Sequence, residues 1–175
     1  VRLGHIIELS LKYTDQPGTW CLARSRNRAP GVDASPLQKI SQYCSDFNAF
    51  RDDAHMAAWQ PQNIAGYAWE AFSLVCANQA TTADGVFDAL VHRGYTRDAY
   101  TQALQTLVQQ GWLIVHNDNM DRYQVTDQGQ AVRDEVEAKT DTYFYAPWSA
   151  LSTEDVTETQ TLLRKFDDAL QGVTA

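Results

Sequence analysis

The sequence predicts a mainly α-helical protein with a winged helix-turn-helix, a small β-hairpin wing, and flanking N- and C-terminal helices. Two observations predict this fold class. Residues 82–110 have the pattern of two amphipathic helices separated by a tight turn, and residues 112–125 have two β-prone runs separated by a polar turn. A further helix start, Thr126 followed by Asp127, comes directly after the hairpin. This order of elements is typical of a winged helix-turn-helix.

Two threonines and two glycines mark the helices of the winged region. Thr82 can cap a helix with Asp84 in its first turn, where a carboxylate faces the positive end of the helix dipole. Gly94 ends this helix, Thr96 begins the next one, and Gly111 ends that. The second helix has an apolar stripe, formed by Tyr100, Ala103, Leu104, Leu107 and Val108. We therefore predict a polar face opposite this stripe.

The polar face of the second helix suits base reading. If the chain binds double-stranded DNA, we expect this helix to enter the major groove and the hairpin turn at 117–122 to lie on the backbone. The candidate DNA-binding residues are Arg93, Arg97, Thr101, Gln102, Gln105 and Arg122. The predicted fold therefore favours double-stranded DNA as the partner.

The charge of the chain opposes DNA binding. The formal net charge is −8, and residues 93–122 carry three arginines against three aspartates. A phosphate backbone attracts clustered Lys and Arg, so a balanced or acidic surface lacks much of the attraction that supplies non-specific affinity. An alternative hypothesis is therefore a winged-helix scaffold for protein association.

Helical sequence flanks the winged region on both sides. In the first part of the chain, residues 3–14 fit a helix better than a strand, and Ser35-Pro36 begins a long helix that ends before Pro61. We predict three segments: an N-terminal helical segment packing on the core at 1–60, the winged domain at 61–140, and an aromatic linker with the C-terminal helix at 141–175.

The long helix carries Arg51, Asp52 and His55 on one side, whereas Asp53 points to the far side. We expect the three to form a partly buried polar cluster in which each charge has a partner. A structural ion-pair network, binding of a small molecule or anion, and catalysis or metal binding are all chemically open. No second His/carboxylate pair has similar spacing and no nucleophile is marked, so we favour the structural role, expect no cofactor or metal, and favour a non-enzymatic protein.

Residues 143–148 are rich in aromatic side chains and precede a last helix that Ser152 can cap. Such a segment between two acidic helices could join two chains as a homodimer or pack on its own domain, and both remain open. Cys21, Cys44 and Cys76 lack metal-ligand spacing and are expected to be reduced.

No apolar run approaches the ~20 residues needed to span a bilayer, and the N-terminus lacks a secretion signal. The sequence therefore predicts a soluble, cytoplasmic protein. We expect no membrane partner.

Six short stretches carry a family resemblance. They are Arg51-Asp52-Asp53-Ala54-His55-Met56-Ala57-Ala58, Gly111-Trp112-Leu113, Thr126-Asp127-Gln128-Gly129, Val136-Glu137, Thr140-Asp141 and Ala146-Pro147-Trp148. With these stretches, residues 18–170 resemble a family of helix-turn-helix proteins of unknown function common in actinobacteria, with a wing region similar to that of MarR-type regulators. That family usually has a small residue where this chain has Asp52, so a family role for Arg51, Asp53 and His55 need not transfer unchanged.

The resemblance implies a winged-helix fold and a bacterial DNA-binding protein, without an established ligand. We therefore predict a winged-helix regulator of transcription with an unknown target. The alternatives are the scaffold for protein association and a small-molecule-binding protein that uses Arg51, Asp52 and His55.

Overall fold

The computed structural model describes Arg2, His5 and residues 19–116 and 122–174. Apart from His5, the helix predicted at 3–14 lies outside the described residues, and so does most of the hairpin turn predicted at 117–122. The described part is mainly helical and contains one two-stranded antiparallel sheet, so the predicted fold class is confirmed. None of its helices is both long and apolar enough to cross a membrane.

The elements follow the predicted order along the chain. They are α1 (Trp20–Arg26), α2 (Pro36–Trp59), α3 (Gly66–Cys76), α4 (Ala83–Leu90), α5 (Arg97–Gln109), β1 (Leu113–Val115), β2 (Tyr123–Val125), α6 (Asp127–Tyr145) and α7 (Thr153–Thr174), with 3-10 turns at Gln60–Gln62, Val91–Arg93 and Ala146–Ala150. The residues group into two compact units, one formed by 1–57 with 140–175 and the other by 58–139. The three-segment division predicted from the sequence stays a prediction.

The start of α2 is a capping box, since Ser35 Oγ accepts from the Gln38 amide at 3.3 Å while Gln38 Oε1 accepts from the Ser35 amide at 2.9 Å.

The first unit has an aromatic core. Leu22 and Phe50 are buried, and the half-buried rings of Tyr43, Phe47 and Phe144 pack against them. Aromatic side chains bury a large apolar area each, so this cluster favours folding of the unit.

The segment at 143–148 packs within the first unit. The Phe144 ring centroid lies 5.7 Å from that of Phe50, and the Trp148 centroid lies 5.9 Å from that of Phe47. Pro147 is buried in the 3-10 turn, whereas Tyr145 is 54% exposed. Of the two roles predicted for this segment, packing on its own chain accounts for Phe144 and Trp148.

The second unit is the winged helix-turn-helix. Thr82 Oγ1 accepts from the Gly85 amide at 3.0 Å, and Thr96 Oγ1 accepts from the Ala99 amide at 3.2 Å, so both predicted threonine caps are present. Gly94 has φ of +78° at the turn between the two helices, a conformation that other residues rarely adopt. These local features place α5 after a tight turn from α4.

The hairpin is antiparallel and its register is short. Leu113 pairs with Val125 and Val115 pairs with Tyr123. The Tyr123 amide also donates to the Thr81 carbonyl at 2.7 Å, and an isolated bridge joins Thr82 to Arg122. The second strand is therefore held both by the first strand and by the residues that precede α4.

Thr126 and Gly129 bring the first turn of α6 into close contact with the hairpin, and we call this contact the glycine joint. Thr126 Oγ1 donates to the Gly111 carbonyl at 2.6 Å and accepts from the Gly129 amide at 3.0 Å. A Cβ atom at Gly129 would lie 2.2 Å from the Trp112 carbonyl oxygen, much closer than van der Waals contact allows. Only glycine therefore lets the first turn of α6 approach the hairpin so closely.

Tryptophan rings form part of the core of the second unit. Trp69 is 3% exposed, and its ring stacks on Trp59 with centroids 6.0 Å apart and contacts Phe72 at 5.5 Å. Trp112 contacts Phe72 at 5.3 Å. The guanidinium of Arg133 lies 5.6 Å from the Trp69 ring centroid, within the range of a cation–π contact.

Candidate nucleic-acid interface

Helix α5 buries one face and exposes the other. Tyr100, Leu104 and Leu107 are fully buried, whereas Arg97 and Gln105 are exposed. The buried set repeats every three to four residues, so the opposite side of the helix is left polar along its whole length. This exposed side is the candidate nucleic-acid interface.

Arg97 is the first residue of α5 and forms an ion pair with Asp84 of α4. Both side chains are more than half exposed, at 54% and 67%. The hydrogen bond from Arg97 holds the pKa of Asp84 below its ordinary value. The carboxylate therefore stays charged beside the arginine.

Arg93 lies in the 3-10 turn between α4 and α5, where it forms an ion pair with Glu70 of α3. The Arg93 side chain is half exposed, and Glu70 is 32% exposed. The two candidate arginines that precede or begin α5 are thus both held by carboxylates of the same unit.

The three candidate polar residues of α5 differ in position. Gln105 is exposed, and Thr101 is half-buried with its Oγ1 donating to the Arg97 carbonyl at 3.1 Å. Gln102 is exposed but lines a cavity of about 250 Å³ beside the start of α3. Asp98, which the sequence analysis counted only as a charge, is exposed and lies seven residues before Gln105, on the same side of α5.

Arg122 stands at the base of the wing. Its Nε donates to Thr81 Oγ1 at 3.3 Å. His116 is exposed at the corresponding end of the first strand, where its Nε2 contacts the Gln124 side chain. The rest of the predicted backbone-contacting turn lies outside the described residues.

The second unit is acidic as a whole. Residues 58–139 contain five Lys and Arg against ten Asp and Glu, which gives −5. Two further cations of this unit also pair with acids: Arg133 with Glu137 at 2.8 Å and Lys139 with Glu135 at 3.5 Å. The positive charge that a phosphate backbone would attract is largely engaged inside the unit.

The predicted polar cluster is only partly as expected. Arg51 Nη1 lies 2.9 Å from Asp141 Oδ1, and His55 Nδ1 lies 3.1 Å from Oγ1 of the buried Thr140. Arg51 and His55 are half-buried, whereas Asp52 is exposed. Partial loss of solvent around its carboxyl, and then the neighbouring charge of Asp53, raise the pKa of Asp52. A ligand-binding role for Arg51, Asp52 and His55 stays a prediction.

The sequence reading missed the two buried carboxylates of the first unit. Asp53 accepts from the amides of Cys21 and Leu22, each at 2.9 Å, so it caps the first turn of α1. Asp46 accepts from Ser25 Oγ at 2.6 Å and also lies 3.4 Å from Arg26 Nε. Both are at most 1% exposed. Their seven-residue spacing puts them on one side of α2, and that spacing was the available signal.

Cysteines and other potential metal-ligating side chains occur in both units. Cys21, Cys44 and Cys76 are free and half-buried. Burial raises the pKa of Cys76 to about 11, so this thiol stays protonated at neutral pH. Within the described ranges, no group of three or more His, Cys, Asp or Glu side chains is placed to hold a metal ion.

The decisive comparison is with protein families, where a helix-turn-helix family model matches residues 25–175. The chain belongs to this helix-turn-helix family. No curated protein matches the chain. The predicted family relationship is thereby confirmed for most of the chain.

Solved structures of other proteins show a similar fold. A transcriptional regulator from Thermotoga maritima aligns with a TM-score of 0.64 at 13% identity, over 77% of this chain and 96% of that one. The multiple antibiotic-resistance repressor MarR from Listeria monocytogenes aligns with a TM-score of 0.63 at 11% identity, over 81% and 99%. The YusO protein from Bacillus subtilis has a TM-score of 0.53 at 17% identity, over 78% and 99%.

These likenesses confirm the predicted MarR-like winged helix. At such low identity they show the fold alone, because one fold can carry many functions. The assignment of the helix-turn-helix family therefore comes from the sequence match, and the roles of individual residues depend on the geometry of the α5 face.

Proposed function

We propose that this protein is a DNA-binding regulator of transcription. The observation that carries the proposal is the exposed polar face of α5, presented by a MarR-like winged helix. Two of the structurally similar proteins are a transcriptional regulator and a repressor. A helix that follows a tight turn and leaves one polar side open has the geometry with which helix-turn-helix proteins enter the major groove.

In this proposal the side chains of α5 read bases. Gln105 can pair with adenine, and Asp98 can accept from the cytosine amino group. Thr101 can accept a hydrogen bond while its own hydroxyl donates to the Arg97 carbonyl. Arg97 at the first position of α5, Arg93 before α5 and Arg122 at the wing base supply contacts to the phosphate backbone.

The acidic charge of the unit shapes the expected behaviour. Non-specific affinity comes mostly from phosphate contacts, which are few here, so base contacts must supply an unusually large share of the binding free energy. We therefore expect weak binding to random DNA and a shallow dependence on salt, together with clear preference for a selected site.

Selection from a random duplex library, followed by fluorescence anisotropy on the enriched duplex and on a scrambled duplex, tests this function. Gln105→Ala should weaken binding to the enriched duplex by about 1–3 kcal/mol, because it removes one base-reading side chain. Gln130→Ala is the matched control, since Gln130 is exposed on α6 of the same unit. Failure to enrich any duplex, even at low salt, would sink the regulator proposal.

A second candidate function is self-association through the C-terminal helix. Leu162 and Leu170 of α7 are 51% and 47% exposed, and their eight-residue spacing puts them on one side of the helix. Sedimentation equilibrium would measure it, with Leu162→Glu expected to shift a dimer to monomer and Thr161→Glu, an exposed neighbour, expected to leave the mass unchanged. A monomer at all concentrations would refute the homodimer.

A further inference from the structure

The carboxylates that hold Arg97 and Arg93 need an explanation. Asp84 and Glu70 come from α4 and α3, two different helices, yet Asp84 meets the first residue of α5 and Glu70 meets Arg93 in the turn before it. Exposed ion pairs add little to folding stability, and α4 already has its Thr82 cap. Asp84 is also well placed in the first turn of α4 for the helix dipole, but that does not require a partner on α5, so pairing with arginine itself contributes little to stability.

A carboxylate and a phosphate present the same kind of acceptor to arginine. Both offer two anionic oxygens that match the planar guanidinium. An arginine that is paired with a carboxylate must leave it, or share it, before it can neutralise a DNA phosphate. Each such pair therefore lowers the gain from a phosphate contact, whatever the DNA sequence.

We propose that Asp84 and Glu70 are internal competitors of the DNA backbone for Arg97 and Arg93, which reduce non-specific DNA binding by this winged helix. The inference rests on the proposed DNA-binding function and concerns how the same interface is regulated. Base contacts made by Gln105 and Thr101 are not subject to this competition. The ratio of specific to non-specific affinity is raised as a result.

The overall charge of the unit supports this inference. With ten acids against five Lys and Arg, residues 58–139 repel a phosphate backbone in general. Among the described acids of the unit, Asp84 and Glu70 stand out because they form ion pairs with candidate interface arginines. A chain exposed to many competing genomic sites benefits from weak binding to them, because the biologically relevant quantity is the specificity ratio.

The test compares Asp84→Asn with Asp88→Asn. Both aspartates are exposed on α4, one helical turn apart, and both substitutions remove one negative charge. Asp84 is paired with Arg97, which makes Asp88→Asn a control for the general change in charge. Affinity for a labelled random-sequence duplex is measured by anisotropy from low to physiological salt, with circular dichroism to confirm that each variant is folded.

We expect Asp84→Asn to bind the random duplex about three- to tenfold more tightly at low salt. The slope of log affinity against log salt should steepen by about 0.9, the contribution of one added phosphate contact. Asp88→Asn should change both quantities much less. Glu70→Gln repeats the test from α3, so the inference stays testable if Asp84→Asn fails to fold.

Three results would overturn the inference. Equal effects of Asp84→Asn and Asp88→Asn would show that only net charge matters. Weaker binding of Asp84→Asn to an enriched duplex, with random DNA unaffected, would mean that Asp84 positions Arg97 for base reading. If the protein and every variant fail to bind any duplex, the DNA-binding function itself is wrong and the inference falls with it; binding by the unaltered protein separates these cases.

Discussion

The two units use carboxylates in opposite ways. In the first unit, Asp53 and Asp46 are buried and accept hydrogen bonds from α1. In the second unit, Asp84 is exposed and pairs with an arginine at the surface. Both units have an aromatic core, but only in the first do buried carboxylates tie one helix to another, whereas in the second the acid that meets α5 stays at the surface.

Removal of the buried acceptor at Asp53 should have the largest effect. Asp53→Ala leaves the amides of Cys21 and Leu22 without their charged acceptor, and we expect a loss of about 3 kcal/mol in the free energy of unfolding. Asp52→Ala is the matched control, since Asp52 is the exposed neighbour and should cost about 0.5 kcal/mol or less. Urea denaturation followed by circular dichroism measures both. Equal losses would break the contrast between buried and exposed carboxylates.

The glycine joint offers the corresponding test in the second unit. Gly129→Ala places a methyl group against the Trp112 carbonyl, so α6 or the hairpin must shift, and we expect a loss of about 2 kcal/mol in stability. Gly172→Ala, on α7 with open space around it, should not destabilise the protein. Thermal unfolding distinguishes them. An unchanged midpoint for Gly129→Ala would show that the joint relaxes at no cost.

The same contrast explains what the sequence could predict. The caps at Thr82 and Thr96, and the glycine at 94, act on residues within three or four positions, so local sequence was sufficient for the winged helix. The hydrogen bond from the Cys21 amide to Asp53 spans 32 positions in the sequence, and no local pattern specifies such a partner. Helical spacing placed Asp53 on the far side of α2 but could not say that α1 lies there.

The candidate site was predictable to a similar degree. Helical periodicity identified the exposed face of α5, because the buried positions repeat with the helix turn. The pairing of Arg97 with Asp84 depends on the angle at which α4 meets α5, which Gly94 sets through its backbone conformation. Sequence spacing identifies the charged residues near this face, whereas their ion-pair partners follow only from the tertiary structure.

Arg51 and Asp141 form a partly exposed ion pair, intermediate between the buried carboxylates and Asp84. The side chains of Arg51 and Asp141 are 42% and 55% exposed, so solvent screens the ion pair. We expect Arg51→Ala to cost about 1 kcal/mol or less, part of it from the packing of the guanidinium 5.7 Å from the Phe144 ring centroid. Urea denaturation at low and high salt separates the two parts. A loss of several kcal/mol would place Arg51 with the buried groups.

The smallest expected effect is the titration of Asp84. Because Arg97 lowers the pKa of Asp84 in the folded protein, the contribution of this pair to stability is present above the ordinary aspartate pKa and is lost as the pH falls through the lowered one. Carboxyl NMR should therefore find Asp84 titrating below the ordinary range, with Arg97→Gln moving its pKa upward. Saturating DNA should move it in the same direction, because a phosphate takes Arg97 away. If neither change moves the Asp84 pKa, the ion pair with Arg97 does not persist in solution. The contrast between this exposed carboxylate and the buried carboxylates of Asp46 and Asp53 is then lost.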